Sequence, residues 1–218
     1  MNHKCCFVFC HGFGFDSTFW NPLRPYFSRM NTVYLDLGYF GESSSLAKTE
    51  LYDQSTEYIG IGHSLGLMKL MSLNIPFKCL IGLHGFVNFL GFNTQLHRRR
   101  QRELMHLTGQ FSSSPELTLG QFYQRTGVDF NVPKTGLLNR MKLLDDLTSL
   151  AHPVPVPADI PMLVLGSNDD KIIPPELIED NFAHHPHVTI DILNQAQHGL
   201  GYLQPDVVYQ NIMRFLEF

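Results

Sequence analysis

Features typical of secreted, membrane-bound and metal-binding proteins are scarce in this sequence. Only four of its 218 residues are cysteines, at positions 5, 6, 10 and 79, and all four lie in segments typical of buried strands. We therefore expect reduced core thiols and a cytoplasmic protein. No apolar run reaches about 18 residues, which excludes a transmembrane helix. The N-terminal segment lacks the basic, apolar and cleavage-site regions of a signal peptide, and we expect none.

Metal-ligand spacings are also missing. The run His184-His185-Pro186-His187 could bind a metal, but a solvated loop is the better interpretation. We expect neither a metal nor an organic cofactor. We also expect no nucleic-acid or membrane partner. The chain is 44% hydrophobic, which is enough for one well-buried domain with a modest insertion, and we expect a monomer.

The most informative segment present is Gly62-His63-Ser64-Leu65-Gly66. It follows the apolar, β-prone residues 58–61 and precedes an apolar stripe with helical spacing. Gly-x-Ser-x-Gly between a strand and a helix is typical of a nucleophile elbow, a sharp turn that exposes a strained serine hydroxyl. Side chains at the two glycine positions would collide with neighbouring backbone. Ser64 is therefore the predicted nucleophile.

A glycine-rich loop upstream supplies a candidate oxyanion hole. Strand 5–10 ends at His11-Gly12-Phe13-Gly14. Enzymes with a nucleophile elbow place one backbone oxyanion donor in the loop at this position. We expect the amide of Phe13 to provide one N–H and the amide of Leu65 the other. A second loop, residues 36–43, follows strand 32–36, and we interpret it as architectural.

The remaining candidate catalytic groups follow along the chain in the order serine, acid, histidine, which is typical of enzymes with a nucleophile elbow. Two aspartates, Asp169 and Asp170, lie in the loop after strand 161–166 and compete for the role of acid. His198 follows the last predicted strand and precedes the last helix, so we predict that it is the base. Imidazole can take the serine proton at neutral pH, and a buried carboxylate can hold it in the correct tautomer. We interpret the other histidines, including His63 and His84, as surface, core or loop residues.

Strands alternate with helices along the chain, which predicts a mostly parallel sheet of about six strands with helices on both faces. The predicted strands are residues 5–10, 32–36, 57–61, 78–84, 161–166 and 188–193. The predicted core helices are residues 18–28, 65–74, 175–183 and 205–217. Only about twenty residues separate the second loop from the elbow, and we expect a lost or shortened helix there.

About seventy residues separate strand 78–84 from the next strand, which is too long for a plain connection. Helical patterns at 95–107, 118–127 and 137–150 predict a helical lid over Ser64. We therefore divide the chain into a core of residues 1–90 and 155–218 and a lid of residues 91–154.

Together these motifs resemble the α/β-hydrolase superfamily over nearly the whole chain. The closest likeness is to the pimeloyl-[acyl-carrier protein] methyl ester esterases of biotin synthesis, in their compact form. It is carried by residues 11–20, in which Phe13 replaces a tryptophan, by residues 62–66, and by the spacing from Pro161 to Pro174. In that family pattern the acid lies nine residues after the first proline and four before the second, which favours Asp170 over Asp169.

The resemblance implies a serine carboxylesterase that hydrolyses a methyl-capped pimeloyl chain on acyl carrier protein. A general short-chain carboxylesterase and an acyl thioesterase would show the same triad. A catalytically silent hydrolase fold that serves as a binding protein is a further alternative, against which the intact serine, acid and histidine argue.

The charge of the predicted lid differs from that of the rest of the chain. Residues 91–150 contain eight Lys/Arg and five Asp/Glu, a net charge of +3, whereas the remainder carries −7. The excess is concentrated at Arg98, Arg99, Arg100 and Arg102. Such a run is commonly a solvated helix face, but it can also dock an acidic partner. The resemblance implies that this partner is the acidic acyl carrier protein.

Overall fold

The computed structural model describes residues 4–41, 53, 55–131 and 137–216. Within these residues six strands form one parallel sheet, which confirms the predicted sheet. They are β1 (Lys4–Cys10), β2 (Asn31–Leu35), β3 (Thr56–His63), β4 (Phe77–Leu83), β5 (Met162–Ser167) and β6 (Val188–Leu193). Their order across the sheet is β2-β1-β3-β4-β5-β6.

The helices between and after these strands lie near the predicted positions. They are α1 (Leu65–Met71), α2 (Thr94–Ser113), α3 (Pro115–Thr126), α4 (Arg140–Ser149), α5 (Pro175–Phe182), α6 (Leu200–Leu203) and α7 (Pro205–Leu216). Helix α1 packs against β1, β3 and β4, and α5 packs against β5 and β6. Of the helices in the described residues, none has both the length and the hydropathy needed to cross a bilayer.

The prediction of one helix over residues 18–28 was wrong. Two short 3₁₀ helices, Ser17–Trp20 and Arg24–Phe27, occupy this segment. The physical reason is the pair Pro22 and Pro25, because each proline lacks the backbone N–H that a continuous α-helix needs and its ring crowds the preceding turn.

The strand order places a crevice at one edge of the sheet. The chain passes from β1 to its outer neighbour β2 and then returns to β3 on the other side of β1, so the winding direction reverses between β1 and β3. Ligands bind in open α/β sheets beyond the carboxyl ends of the strands at such a reversal. The loop at Phe13 follows β1, and Ser64 follows β3, so both lie at this edge.

Aromatic packing fixes the first loop against β1. The ring of Phe9 contacts Trp20 and Phe27 with centroid separations of 5.2 and 5.1 Å. All three side chains are buried. The two short 3₁₀ helices are thereby held against the sheet, since each contributes one of these rings.

The cysteines are free thiols, and Cys6, Cys10 and Cys79 are buried. Burial raises the pKa of Cys10 to about 12. Burial likewise raises the pKa of Cys79 to about 12. Both side chains therefore remain protonated at neutral pH and pack as small apolar groups.

The second glycine-containing loop has an architectural contact of the kind expected. One oxygen of Asp36 accepts a hydrogen bond from the amide of Gly38 at 2.9 Å, and the other accepts one from the amide of Ser17 at 3.3 Å. These bonds tie the loop after β2 to the loop after β1. Ser43 and the expected shortened helix fall in residues 42–52, outside the described residues.

Three helices, α2, α3 and α4, occupy the long connection between β4 and β5. Helix α2 packs against both α3 and α4. Residues of this helical insertion approach the carboxyl edge of the sheet, where they share a cavity with Ser64.

Candidate active site

Ser64 sits in the turn from β3 into α1 with backbone angles of φ 54° and ψ −122°. Such a positive φ is strained for a residue with a side chain, and strain of this kind is concentrated at functional sites. A Cβ at Gly66 would strike the carbonyl oxygen of Cys10, and one at Gly62 would strike the backbone of Leu67. The two glycines therefore allow the close approach that holds Ser64 in this turn.

Asp170 and His198 form a buried pair near the same edge of the sheet. Nδ1 of His198 lies 2.7 Å from Oδ2 of Asp170, and both side chains are fully buried. The other oxygen of Asp170 accepts hydrogen bonds from the amides of Ile172 at 2.7 Å and Ile173 at 3.0 Å. Nε2 of His198 is buried and has no hydrogen-bond partner among the described residues. This nitrogen is therefore available to accept a proton.

The ionised form of Asp170 is stabilised by its surroundings. Burial raises the pKa of Asp170, but the imidazoles of His198 and His84 and the hydrogen bonds to the carboxylate outweigh it and hold the pKa below its usual range. Asp169, the competing candidate, is exposed. Asp170 is thus the aspartate whose carboxylate faces His198.

Two further histidines hold the backbone of His198, and sequence reasoning missed their role. Nε2 of His63 donates to the carbonyl oxygen of His198 at 2.9 Å, and Nδ1 of His84 donates to the same oxygen at 3.0 Å. Nδ1 of His84 also lies 3.5 Å from Oδ2 of Asp170. Their positions at the ends of predicted strands 57–61 and 78–84 were the available signal, because the carboxyl ends of parallel strands meet at one edge.

Both supporting histidines are neutral at physiological pH. Burial lowers the pKa of His84 to about 4. Burial, followed by the neighbouring imidazole of His198, lowers the pKa of His63 well below its usual value. A neutral imidazole donates from one nitrogen only, so the shared carbonyl acceptor selects the Nε2–H tautomer of His63 and the Nδ1–H tautomer of His84.

The three imidazoles are also candidate metal ligands. Within the described part of the chain, His63, His84 and His198 are a group that could hold an ion, with one nitrogen of each lying within 4.8 Å of the others. One nitrogen of His63 and one of His84 already donate to the carbonyl of His198, and Nδ1 of His198 is bound to Asp170. These bonds make His63 and His84 a scaffold for His198, and the second nitrogen of each of the three imidazoles is buried without a hydrogen-bond partner among the described residues.

A cavity of about 120 Å³ lies over Ser64. The predicted oxyanion residues, Phe13 after β1 and Leu65 at the start of α1, both line it. Much of the remaining wall is apolar and comes from the loop after β4 and from the helical insertion, including Phe89 and Phe122. The cavity therefore offers a largely apolar environment beside the serine hydroxyl.

The arginine run does not form the single exposed cluster that was expected. Arg100 is 4% exposed and lines the cavity with Ser64, so its assignment to a docking surface was wrong. Arg99 is exposed but is ion-paired with Glu176. Arg98 and Arg102 are exposed one helical turn apart. Helix α2 explains the difference, since it buries Leu96, Arg100 and Leu104 at four-residue spacing.

A sequence model of the alpha/beta hydrolase family matches residues 7–211. The chain belongs to the alpha/beta hydrolase family. A search of curated proteins found no significant match to this hydrolase.

Solved structures share its fold at low sequence identity. MenH from S. aureus is 15% identical, with 100% of this chain and 95% of that chain covered and a TM-score of 0.75. The esterase EaEST from Exiguobacterium antarcticum is 10% identical, with 100% and 94% covered and a TM-score of 0.73. Naproxen esterase from Bacillus subtilis is 19% identical, with 99% and 85% covered and a TM-score of 0.61. Likeness at these identities establishes the fold.

The neutral state of His84 predicts a loss of stability in mild acid. An unfolded histidine takes up a proton near pH 6.5, whereas folded His84 does so only near pH 4. Between these values the unfolded state binds more protons, so the free energy of unfolding falls as the pH decreases. One such group accounts for a loss of the order of 3 kcal/mol by about pH 4, at about 1.4 kcal/mol per pKa unit, and about 2 kcal/mol of this loss falls between pH 7 and pH 5.

The measurement is urea denaturation at pH 7, 6 and 5 of the wild type and of His84→Asn. Asparagine tolerates positive φ, which is 50° at this position, and it keeps an N–H donor without titrating. The variant should lose less stability than the wild type over this range. Parallel pH profiles would show that His84 does not carry the effect.

Proposed function

We propose that this hydrolase is a serine carboxylesterase that acts through an acyl-enzyme. Ser64 attacks the ester carbonyl while Nε2 of His198 takes the hydroxyl proton, and Asp170 stabilises the imidazolium that forms. His198 then returns the proton to the departing alkoxide. Water attacks the acyl-enzyme in the second half of the reaction, again with His198 as the base.

The observation that carries this proposal is the fully buried Asp170–His198 pair, with a 2.7 Å contact to Nδ1 and an unpartnered Nε2, at the same end of the sheet as a serine in a strained turn. A hydroxyl alone is a weak nucleophile at neutral pH, and an oriented base is what activates it. The amides of Phe13 and Leu65 are the proposed oxyanion donors, supported by the position of both residues on the cavity wall.

The proposed substrate is the methyl ester of pimeloyl-acyl carrier protein, an intermediate of biotin synthesis. Two features support it: the motif resemblance of residues 11–20, 62–66 and 161–174, and a largely apolar cavity that suits an extended acyl chain. Of the four arginines predicted to dock a partner, Arg98 and Arg102 are exposed and could bind an acidic carrier protein through their charge.

A first test is the loss of the nucleophile. Ser64→Ala should fold normally, fail to react with a fluorophosphonate probe and lose about 10⁶-fold in kcat on a p-nitrophenyl ester, as when other triad serines are removed. The wild type should be labelled stoichiometrically at Ser64. Labelling of the alanine variant at wild-type speed would exclude Ser64 as the nucleophile.

A second test compares the two neighbouring aspartates. Asp170→Asn should lower kcat on the same ester by about 10⁴-fold, because an amide favours the wrong imidazole tautomer. Asp169→Asn is the matched control and should retain near wild-type kcat, since that side chain is exposed. The opposite ranking would contradict the assignment of the acid.

A third test addresses carrier-protein docking. The double variant Arg98→Glu/Arg102→Glu should raise KM for a carrier-bound methyl ester and flatten its dependence on salt, because surface charges mainly steer encounter. Hydrolysis of a p-nitrophenyl ester should change far less.

The control for that test is Arg29→Glu/Arg214→Glu, which changes the net charge equally at exposed positions outside α2. It separates local docking from overall charge. Equal effects of the two double variants on the carrier-bound substrate would argue against a docking role for α2.

A further inference from the structure

The cavity over Ser64 contains a buried cation that the proposed triad chemistry does not use. Arg100 reaches the cavity from α2 and is 4% exposed. Arginine is rarely buried to this extent unless its charge and its donors are matched. Any donor of Arg100 that the protein leaves unpaired therefore indicates which chemical groups a ligand in the cavity would carry.

The partners of Arg100 satisfy only part of its guanidinium group. Nε donates to the carbonyl oxygen of Phe89 at 3.2 Å, and Nη1 donates to Oε2 of Glu103 at 2.8 Å. The guanidinium carbon lies 4.0 Å from the centre of the Phe89 ring. These contacts fix the plane of the group. Nη2 is buried and has no hydrogen-bond partner among the described residues.

An unpaired buried donor is costly, and native structures leave few of them. Burial against Phe89 prevents the group from turning freely to another acceptor. A substrate that enters the cavity lined by Arg100 can supply the missing acceptor.

The charges around the cavity favour an oxygen acceptor with negative character. Arg125 also lines the cavity, and Glu103 is the acidic residue on the described wall. Burial lowers the pKa of Arg100, Glu103 opposes this change, and the charges of Arg99 and Arg125 add to it. The guanidinium groups thus outnumber the carboxylate near this part of the cavity.

We propose that Nη2 of Arg100 donates a hydrogen bond to a second oxygen acceptor in the acyl part of the ester substrate. The cavity then selects acyl chains that carry a carboxylate or carbonyl oxygen away from the scissile ester, over plain hydrocarbon chains. This inference rests on the proposed esterase function and names a substrate class within it.

The primary experiment compares three methyl esters of equal acyl length on the wild-type enzyme. They are a plain fatty-acid ester, the monomethyl ester of a dicarboxylic acid and the corresponding dimethyl ester. At least one acceptor-bearing ester should exceed the plain ester about tenfold or more in kcat/KM, as expected for a hydrogen bond to a charged group. If only the monomethyl ester is preferred over the plain ester, the acceptor that Arg100 binds is a carboxylate. If the monomethyl and dimethyl esters are both preferred, the acceptor is a carbonyl oxygen. Absence of any preference overturns the proposal.

A variant then assigns the preference to its residue. Arg100→Met keeps an apolar side chain of comparable length and removes the donors, so the preference ratio should fall close to one. Arg140→Met is the matched control, because Arg140 lies in the same insertion and pairs with Glu116 but is exposed. Arg140→Met should keep the wild-type ratio of kcat/KM between the acceptor-bearing esters and the plain ester. Retention of the full preference by Arg100→Met overturns the proposal, and Arg100→Leu, which also lacks side-chain donors, provides the same comparison if the methionine variant does not fold.

The test also distinguishes this inference from the proposed function. Turnover of all three esters without preference refutes the role of Arg100 but leaves the esterase intact. If no ester is hydrolysed, the proposed function fails, and the same three compounds then serve as ligands. The melting temperature of the wild type should rise more with the acceptor-bearing compounds, and this difference should vanish in Arg100→Met. Equal shifts in the wild type overturn the proposal.

Discussion

The backbone carbonyl of His198 is the point on which the site depends. It accepts hydrogen bonds from His63 at the end of β3 and from His84 after β4, while the imidazole of the same residue binds Asp170 after β5. Three neighbouring strands thereby position one residue. Because the strands are parallel, their carboxyl ends supply all of these groups at the edge where the turn after β3 presents Ser64.

Residues with a local signature were predictable from the sequence. The strand–turn–helix context identified Ser64, and proline spacing favoured the aspartate that faces His198. The helix expected over residues 18–28 did not form as one element, because Pro22 and Pro25 interrupt it. His63 and His84 were not recognised, since their hydrogen bonds depend on strand neighbours that are distant in sequence. Only the assembled sheet brings them to His198.

Arg100 shows how a charged run can conceal a buried position. The run at residues 97–102 was interpreted as one surface, but a helix presents successive residues to different sides. Leu96 and Leu104 flank Arg100 at four-residue spacing and mark the buried side of α2. That spacing was visible in the sequence. The cavity that accepts the guanidinium was not, because residues from the loop after β1 and from α1, α3 and α4 complete its wall.

Three histidines lie near the carboxylate of Asp170, but their surroundings favour a proton on only one of the imidazoles during the reaction. His63 and His84 each donate to an uncharged carbonyl. Protonating His63 would add a buried charge without a bonded counter-ion, and His84 lies 3.5 Å from Oδ2 of Asp170, farther than His198 does. His198 alone among these three lies within 3 Å of a carboxylate oxygen, and protonating it forms a charge-balanced pair with Asp170. Burial keeps the pKa of the supporting histidines low. The surroundings thus direct the proton to His198 and leave its neighbours neutral, which lets them keep the carbonyl hydrogen bonds that orient the base throughout the reaction.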